Sequence, residues 1–142
     1  MSPLPLVLDT NVVLDVLVFE DPALGPLAQA LTSGAVGAWA DEHTLRELQY
    51  VLAYPHFQLD RAAQGEVLAR YRSLVHLAPA GPEAPEPALP RCRDRDDQKF
   101  LALAARSGAR WLVSKDKRVL SMADRVGLPF GILSCRQLLA RL

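Results

Sequence analysis

The apolar run LPLVL at residues 4 to 8 stops abruptly at Asp9, and Thr10 and Asn11 follow before a second apolar run, VVLDVLVF. A short apolar run reads as a buried strand, and polar residues ahead of a periodic segment read as a helix start. The same grammar returns where RWLVS, residues 110 to 114, leads through Lys115 and Asp116 into another helix-like stretch. Each junction leaves a carboxylate just beyond a strand. In a parallel sheet with right-handed crossovers both would land on one edge, where open α/β sheets place their ligand crevices.

The remaining segments keep the alternation. Residues 11 to 19 read as a helix with Val12, Val13, Val16 and Leu17 on its apolar face. Asp21-Pro22 starts a second helix, closed by Gly34. VGAWA at 36 to 40 is a strand, and Asp41 caps a helix running to about Ala53, ahead of Pro55. Asp60 caps a helix to about Ser73, and residues 74 to 78 form a short strand. Residues 79 to 90 hold five of the eleven prolines and read as an exposed loop. A helix over 95 to 107, closed by Gly108, precedes the 110 to 114 strand. A helix of about ten residues follows Asp116, then a strand at 130 to 133, and SCRQLLARL as a last helix. Strand and helix in alternation predict an α/β domain spanning residues 1 to 142, with a parallel sheet and helices on both faces.

At 142 residues, half of them apolar, the chain can bury a core and is not a disordered polymer. No stretch approaches the roughly 20 apolar residues of a membrane span. MSPLPLVLD lacks the basic flank and cleavage site of a signal peptide, and Cys92 and Cys135 have no metal-type spacing. Reduced thiols in a cytoplasmic protein are the expectation. The formal charge is zero but uneven. Residues 1 to 90 carry −7, from four Arg and eleven acids, and residues 91 to 142 carry +7. A basic half is one footprint of a phosphate-backbone partner, and equally what a solvated basic surface looks like.

Two further acids fall where they could join Asp9 and Asp116. On a helix over 95 to 107, Phe100, Leu101 and Ala104 lie three, four and seven residues after Asp97, so Asp97 lines up with the buried stripe. Asp94 is the better helix cap and Asp96 projects to solvent. On the helix after Asp41, Leu45, Leu48, Val51 and Leu52 form the apolar face, and Glu47 falls at its border. Four carboxylates at one rim repel and demand a counter-ion. An oxygen-only donor set without a His or Cys cluster suits Mg²⁺ or Mn²⁺. One or two such ions support phosphodiester hydrolysis without a side-chain nucleophile.

The chain resembles the PIN domain, and within it the VapC-like toxins of bacterial toxin–antitoxin pairs. The resemblance rests on VLDTNVVLD (7 to 15), TLRELQYVLAYP (44 to 55), CRDRDDQKFLALA (92 to 104) and WLVSKDKRVL (111 to 120), in that order. It implies a three-layer α/β/α fold with a central parallel sheet of about five strands. It also implies a Mg²⁺- or Mn²⁺-dependent ribonuclease with Asp9, Glu47, Asp97 and Asp116 as catalytic, metal-holding acids. Asp94 would be an accessory acid, Ser114 fills the hydroxyl position two residues before the last Asp, and Thr10 and Asn11 match the polar pair after the first. Lys115 departs from the Gly more usual there. Lys99, Lys115, Lys117 and Arg118, with Arg91, Arg93 and Arg95 nearby, become candidates for RNA phosphate contacts. A small antitoxin protein, an RNA substrate and a homodimer are the implied partners.

Two rivals differ in class. A phosphotransferase of the haloacid-dehalogenase type also begins with strand then Asp, but needs a second Asp two residues on, where this chain has Asn11. A PIN fold could instead serve as a non-catalytic RNA- or protein-binding module, a reading the complete set of acids disfavours.

Overall fold

Strands Leu4–Leu8 (β1), Val36–Ala40 (β2), Val75–Leu77 (β3), Trp111–Val113 (β4) and Gly131–Leu133 (β5) pair in parallel throughout, in the order β3-β2-β1-β4-β5. The structure, a computed structural model, describes residues 2–79, 89–92 and 95–142. β1 is central because its five residues are apolar enough to be covered on both faces and paired on both sides. The chain builds outward from it to β2 and β3, then crosses back to β4 and β5. That reversal of direction between β1 and β4 is the kind of switch point at which parallel sheets open a crevice.

Side chains along the strands point alternately to the two faces. Leu6, Leu8, Val113 and Leu133 face one core, together with Leu14 and Leu17 of helix Thr10–Leu17 (α1), Leu27 and Leu31 of Gly25–Ser33 (α2), and Leu45, Leu48 and Leu52 of Glu42–Leu52 (α3). Tyr71 of Arg61–Leu74 (α4) and Leu138 of Cys135–Leu139 (α7) complete this layer. Val7, Leu112 and Ile132 face the second core, built with Phe100, Leu101 and Ala104 of Gln98–Ser107 (α5) and Val119 of Lys117–Leu120 (α6). The result is the three-layer α/β/α sandwich expected. No helix among the described residues is long and apolar enough to cross a membrane.

Strand-to-helix junctions are closed by side-chain caps, which satisfy amide groups that the first helical turn leaves open. Asp9, Asp41, Asp60, Asp116 and Ser134 each accept a backbone N–H two or three residues ahead. Gly34 and Gly108 end α2 and α5 in the left-handed conformation, as their positions suggested.

Some expectations shift. The helix after Asp116 is one turn rather than about ten residues. Beyond Leu120 the chain winds in three-residue turns, with Met122 N–H donating to Val119 C=O, Ala123 to Leu120 and Arg125 to Met122. The buried residues here, Val119 and Met122, are three apart, and winding at three residues per turn puts both on the core side. The predicted 95 to 107 helix opens with a 3₁₀ turn, Arg95–Asp97, and becomes α-helical at Gln98; the 22 to 33 helix likewise opens with a 3₁₀ turn at Pro22–Leu24. Most of the Pro-rich loop, with Asp94 and Arg93, lies outside the described residues.

Trp111 lies against the Gly131 backbone, flanked by the guanidinium groups of Arg110 (4.8 Å from the ring centroid) and Arg141 (5.1 Å). A Cβ on residue 131 would sit 2.2 Å from that ring. Gly131→Ala is therefore expected to destabilise the fold by about 1–3 kcal/mol through overpacking, read as a lower urea midpoint with an unchanged m-value.

Candidate active site

Because every strand is parallel, all five C-terminal ends share one edge, and the predicted acids gather along it. Asp9 follows β1 directly. Its backbone N–H donates to Val113 C=O (3.0 Å), and its Oδ1 accepts from Val12 N–H (3.1 Å) as the α1 cap. Its carboxylate is held in the crevice between β1 and β4, 4% exposed. Ser114, fully buried at the end of β4, donates its hydroxyl to Asp9 Oδ2 and accepts from Asp116 N–H at 3.0 Å. One serine thus ties the two acids of the repeated grammar together. Asp116 is half-buried and caps α6 through Arg118 N–H (2.8 Å).

A second network adjoins the first through residue 10. Thr10 Oγ1 donates to Glu47 Oε2 at 2.5 Å, drawing α3 to the head of α1. Glu47 Oε1 receives the Lys99 ammonium at 2.8 Å. Lys99 also donates to Asp96 C=O, so the first turn of α5 is pinned to the same rim. Asp97, the N-cap residue of α5, is half-buried two residues before Lys99.

The family model of the PIN domain matches residues 5–118, which takes in both networks. This chain belongs to the PIN domain family. Its fold is similar to the crystal structure of PAE2754 from Pyrobaculum aerophilum, with a TM-score of 0.59 at 17% identity over 97% of this chain and 88% of that one. No curated protein sequence matches it. PIN domains are nuclease-type folds, and members typically use divalent metals.

Of the residues singled out in the sequence, this PIN domain brings Asp9, Ser114 and Asp116 into one contact network and Thr10, Glu47 and Lys99 into the next, with Asp97 beside the latter. Asn11, Lys117 and Arg118 are exposed near the rim. Lys115 is also exposed, but its ammonium pairs with Asp15 Oδ2 at 2.6 Å. Lys99, expected to face RNA, is turned inward onto Glu47 with only 12% of its side chain exposed. Among the described residues no three His, Cys, Asp or Glu side chains stand as a preformed metal cage. The donor set still fits a hard divalent cation, since magnesium keeps several waters and needs few carboxylates. The fit rests on Asp9, a buried carboxylate with a second carboxylate, Asp116, close enough to be felt.

That proximity is visible in the acid–base balance of the rim. Burial pushes the Asp9 carboxyl above its usual value near 3.8, hydrogen bonds from Ser114, Val12 and Lys115 pull it down, and the Asp116 charge adds to the rise. Burial raises the hydroxyl of Tyr71 on α4, with a smaller push from Asp9, and raises the Cys135 thiol, with further pushes from Asp9 and Asp15. The Lys115 ammonium is raised chiefly by its hydrogen bond to Asp15. Sequence reasoning missed Tyr71 and Cys135 as neighbours of Asp9, and Asp15 as the partner of Lys115. Asp15 did leave a signal, an acid inside the apolar run VVLDVL. Tyr71 and Cys135 left none, because α4 and α7 reach Asp9 only through packing.

The folded chain holds the Asp9 proton to a higher pH than the unfolded chain does. This group's contribution to stability is therefore greatest below the unfolded value and falls as pH rises through the folded one. Asp9→Asn keeps a capping oxygen and removes the buried charge. It is expected to raise the thermal midpoint by a few degrees at about pH 7, a gain that shrinks toward about pH 4. Calorimetry at the two pH values checks this, and a lower midpoint for the variant at neutral pH would contradict it.

Proposed function

We propose that this PIN domain is a Mg²⁺- or Mn²⁺-dependent endoribonuclease, and that it is the toxin of a toxin–antitoxin pair. The observation that carries the reading is the buried Asp9 carboxylate, held by Ser114 beside Asp116. Two like charges at short range, one of them desolvated, are stable together only with a cation or a proton to offset them. Asp9, Glu47, Asp97 and Asp116 are the acids of the proposed centre. Asp9 is central, because its strand is central and its orientation is set by three hydrogen-bond donors.

The chain's own groups have distinct parts in this reading. Ser114 holds Asp9 Oδ2 and sets the Asp116 backbone relative to it. Thr10 orients Glu47. A divalent cation bound there would supply Lewis-acid stabilisation of the phosphate oxygens and activate water for in-line attack. Lys117 and Arg118, exposed on the one-turn helix that Asp116 caps, would meet the RNA backbone in this reading, and contacts of that kind position without reading sequence. The complete set of acids supports an active enzyme over a non-catalytic RNA- or protein-binding module. The toxin assignment rests on the four-block resemblance, which also carries the expectation of a small antitoxin partner and a homodimer.

Incubation of labelled RNA with the purified protein tests the activity. Cleavage is expected with Mg²⁺ or Mn²⁺, to stop with EDTA, and to fall at least about 10²-fold in Asp9→Asn, the scale of losing a charge-stabilising group. Turnover that persists through both controls would rule the mechanism out, and binding without turnover would favour the module reading. A neighbouring gene for a short protein that binds this one and suppresses cleavage would support the toxin role.

A further inference from the structure

Both carboxylate oxygens of Glu47 are engaged by side chains, one of them a cation. Oε2 accepts from the Thr10 hydroxyl at 2.5 Å and Oε1 is paired with the Lys99 ammonium at 2.8 Å. Lys99 is in turn held on three sides. It donates to the Asp96 carbonyl, its ammonium lies 5.4 Å from the Phe100 ring centroid, and its side chain is only 12% exposed. A lysine ordinarily keeps its ammonium in water, so one turned inward against a half-buried carboxylate is a fixed charge of the site, not a surface charge. Its place is also telling. A paired-ion phosphodiesterase needs carboxylates able to bridge or flank both ions, roughly 3.5–4 Å apart. Here the carboxylate on the α3 side of the rim already holds a cation. A divalent ion brought against Glu47 would meet the ammonium at short range as well as a donated hydroxyl hydrogen.

We propose that Lys99 is a built-in cation standing where a second divalent ion would otherwise bind. The rim then holds one divalent ion near Asp9 and Asp116, and Lys99, carried by Glu47, supplies the other positive charge. Glu47 serves as a positioning residue for Lys99. The chain thereby offsets part of its acidic rim from within, since the acid–ammonium pair is present before any ion arrives. This rests on the metal-dependent reading above and deepens it, by setting how many ions the site takes and which side chain replaces the missing one.

Calorimetric titration of the full chain with Mn²⁺ tests it, with circular dichroism to confirm folding of each variant. One ion per chain is expected for the unaltered protein. Lys99→Met, which keeps the stem and removes the charge, is expected to take up a second ion, and Lys99→Arg to remain at one. Asp9→Asn is expected to weaken the affinity for the first ion by about tenfold or more, in the range seen when metal-site groups are lost. Two ions in the unaltered protein, or a single ion in a folded Lys99→Met, would overturn the proposal and leave the nuclease reading standing. Should Lys99→Met not fold, Lys99→Gln titrated in the same way decides: two ions are expected, and a single ion would overturn the proposal. An unaltered protein that takes up no Mn²⁺ would overturn both the proposal and the metal-dependent reading.

Discussion

The hydrogen bond from Ser114 to Asp9 joins the two strands on which the rest of the molecule turns. It spans the switch point between β1 and β4, where the chain stops building the sheet in one direction and begins building it in the other. Asp9 can be buried there because three donors converge on it, and Asp116 comes near because its own N–H is bonded to the same serine. A charge in such a place opposes folding unless something offsets it. Burial holds the carboxyl above its usual value despite those donors, so the protein alone offsets the charge only in part.

The charge asymmetry along the chain acquires a structural meaning in this setting. Basic residues of the second half reach acids of the first: Lys99 to Glu47, Lys115 to Asp15, and Arg106 to Asp41 at 3.7 Å. All three pairs cross between segments far apart in sequence. Part of the positive half is thus committed inside the molecule. Lys117 and Arg118 are exposed near the rim. A tally of charges in sequence could not tell which acids these three reach, because pairing depends on which helix ends share an edge.

Much of the architecture was legible because the physics behind it is local. Apolar runs of strand length, Asp and Ser caps, and glycines at helix ends act within a few residues, so the alternation and the three-layer sandwich followed from them. The failures are local in the opposite sense. The short α6 and the 3₁₀ openings of α2 and α5 are departures of a single turn, which propensity summed over a whole helix does not register. Among the candidate site residues, the places of Asp9 and Asp116 were legible from strand ends, and those of Glu47 and Asp97 from their register on helices. The inward turn of Lys99 was not, since a lysine three residues after Asp96 on a helix face reads as a solvated charge.

By itself the sequence determined that this is a parallel α/β protein with acids at strand ends and helix starts, since hydrophobic period and capping chemistry are written residue by residue. Only the tertiary structure decided which of those acids share a hydrogen-bond network, which lysine faces inward, and that Tyr71 and Cys135 lie within electrostatic reach of Asp9. Those relations depend on the order β3-β2-β1-β4-β5, which sets distant segments side by side, and no short-range pattern encodes the distance between them.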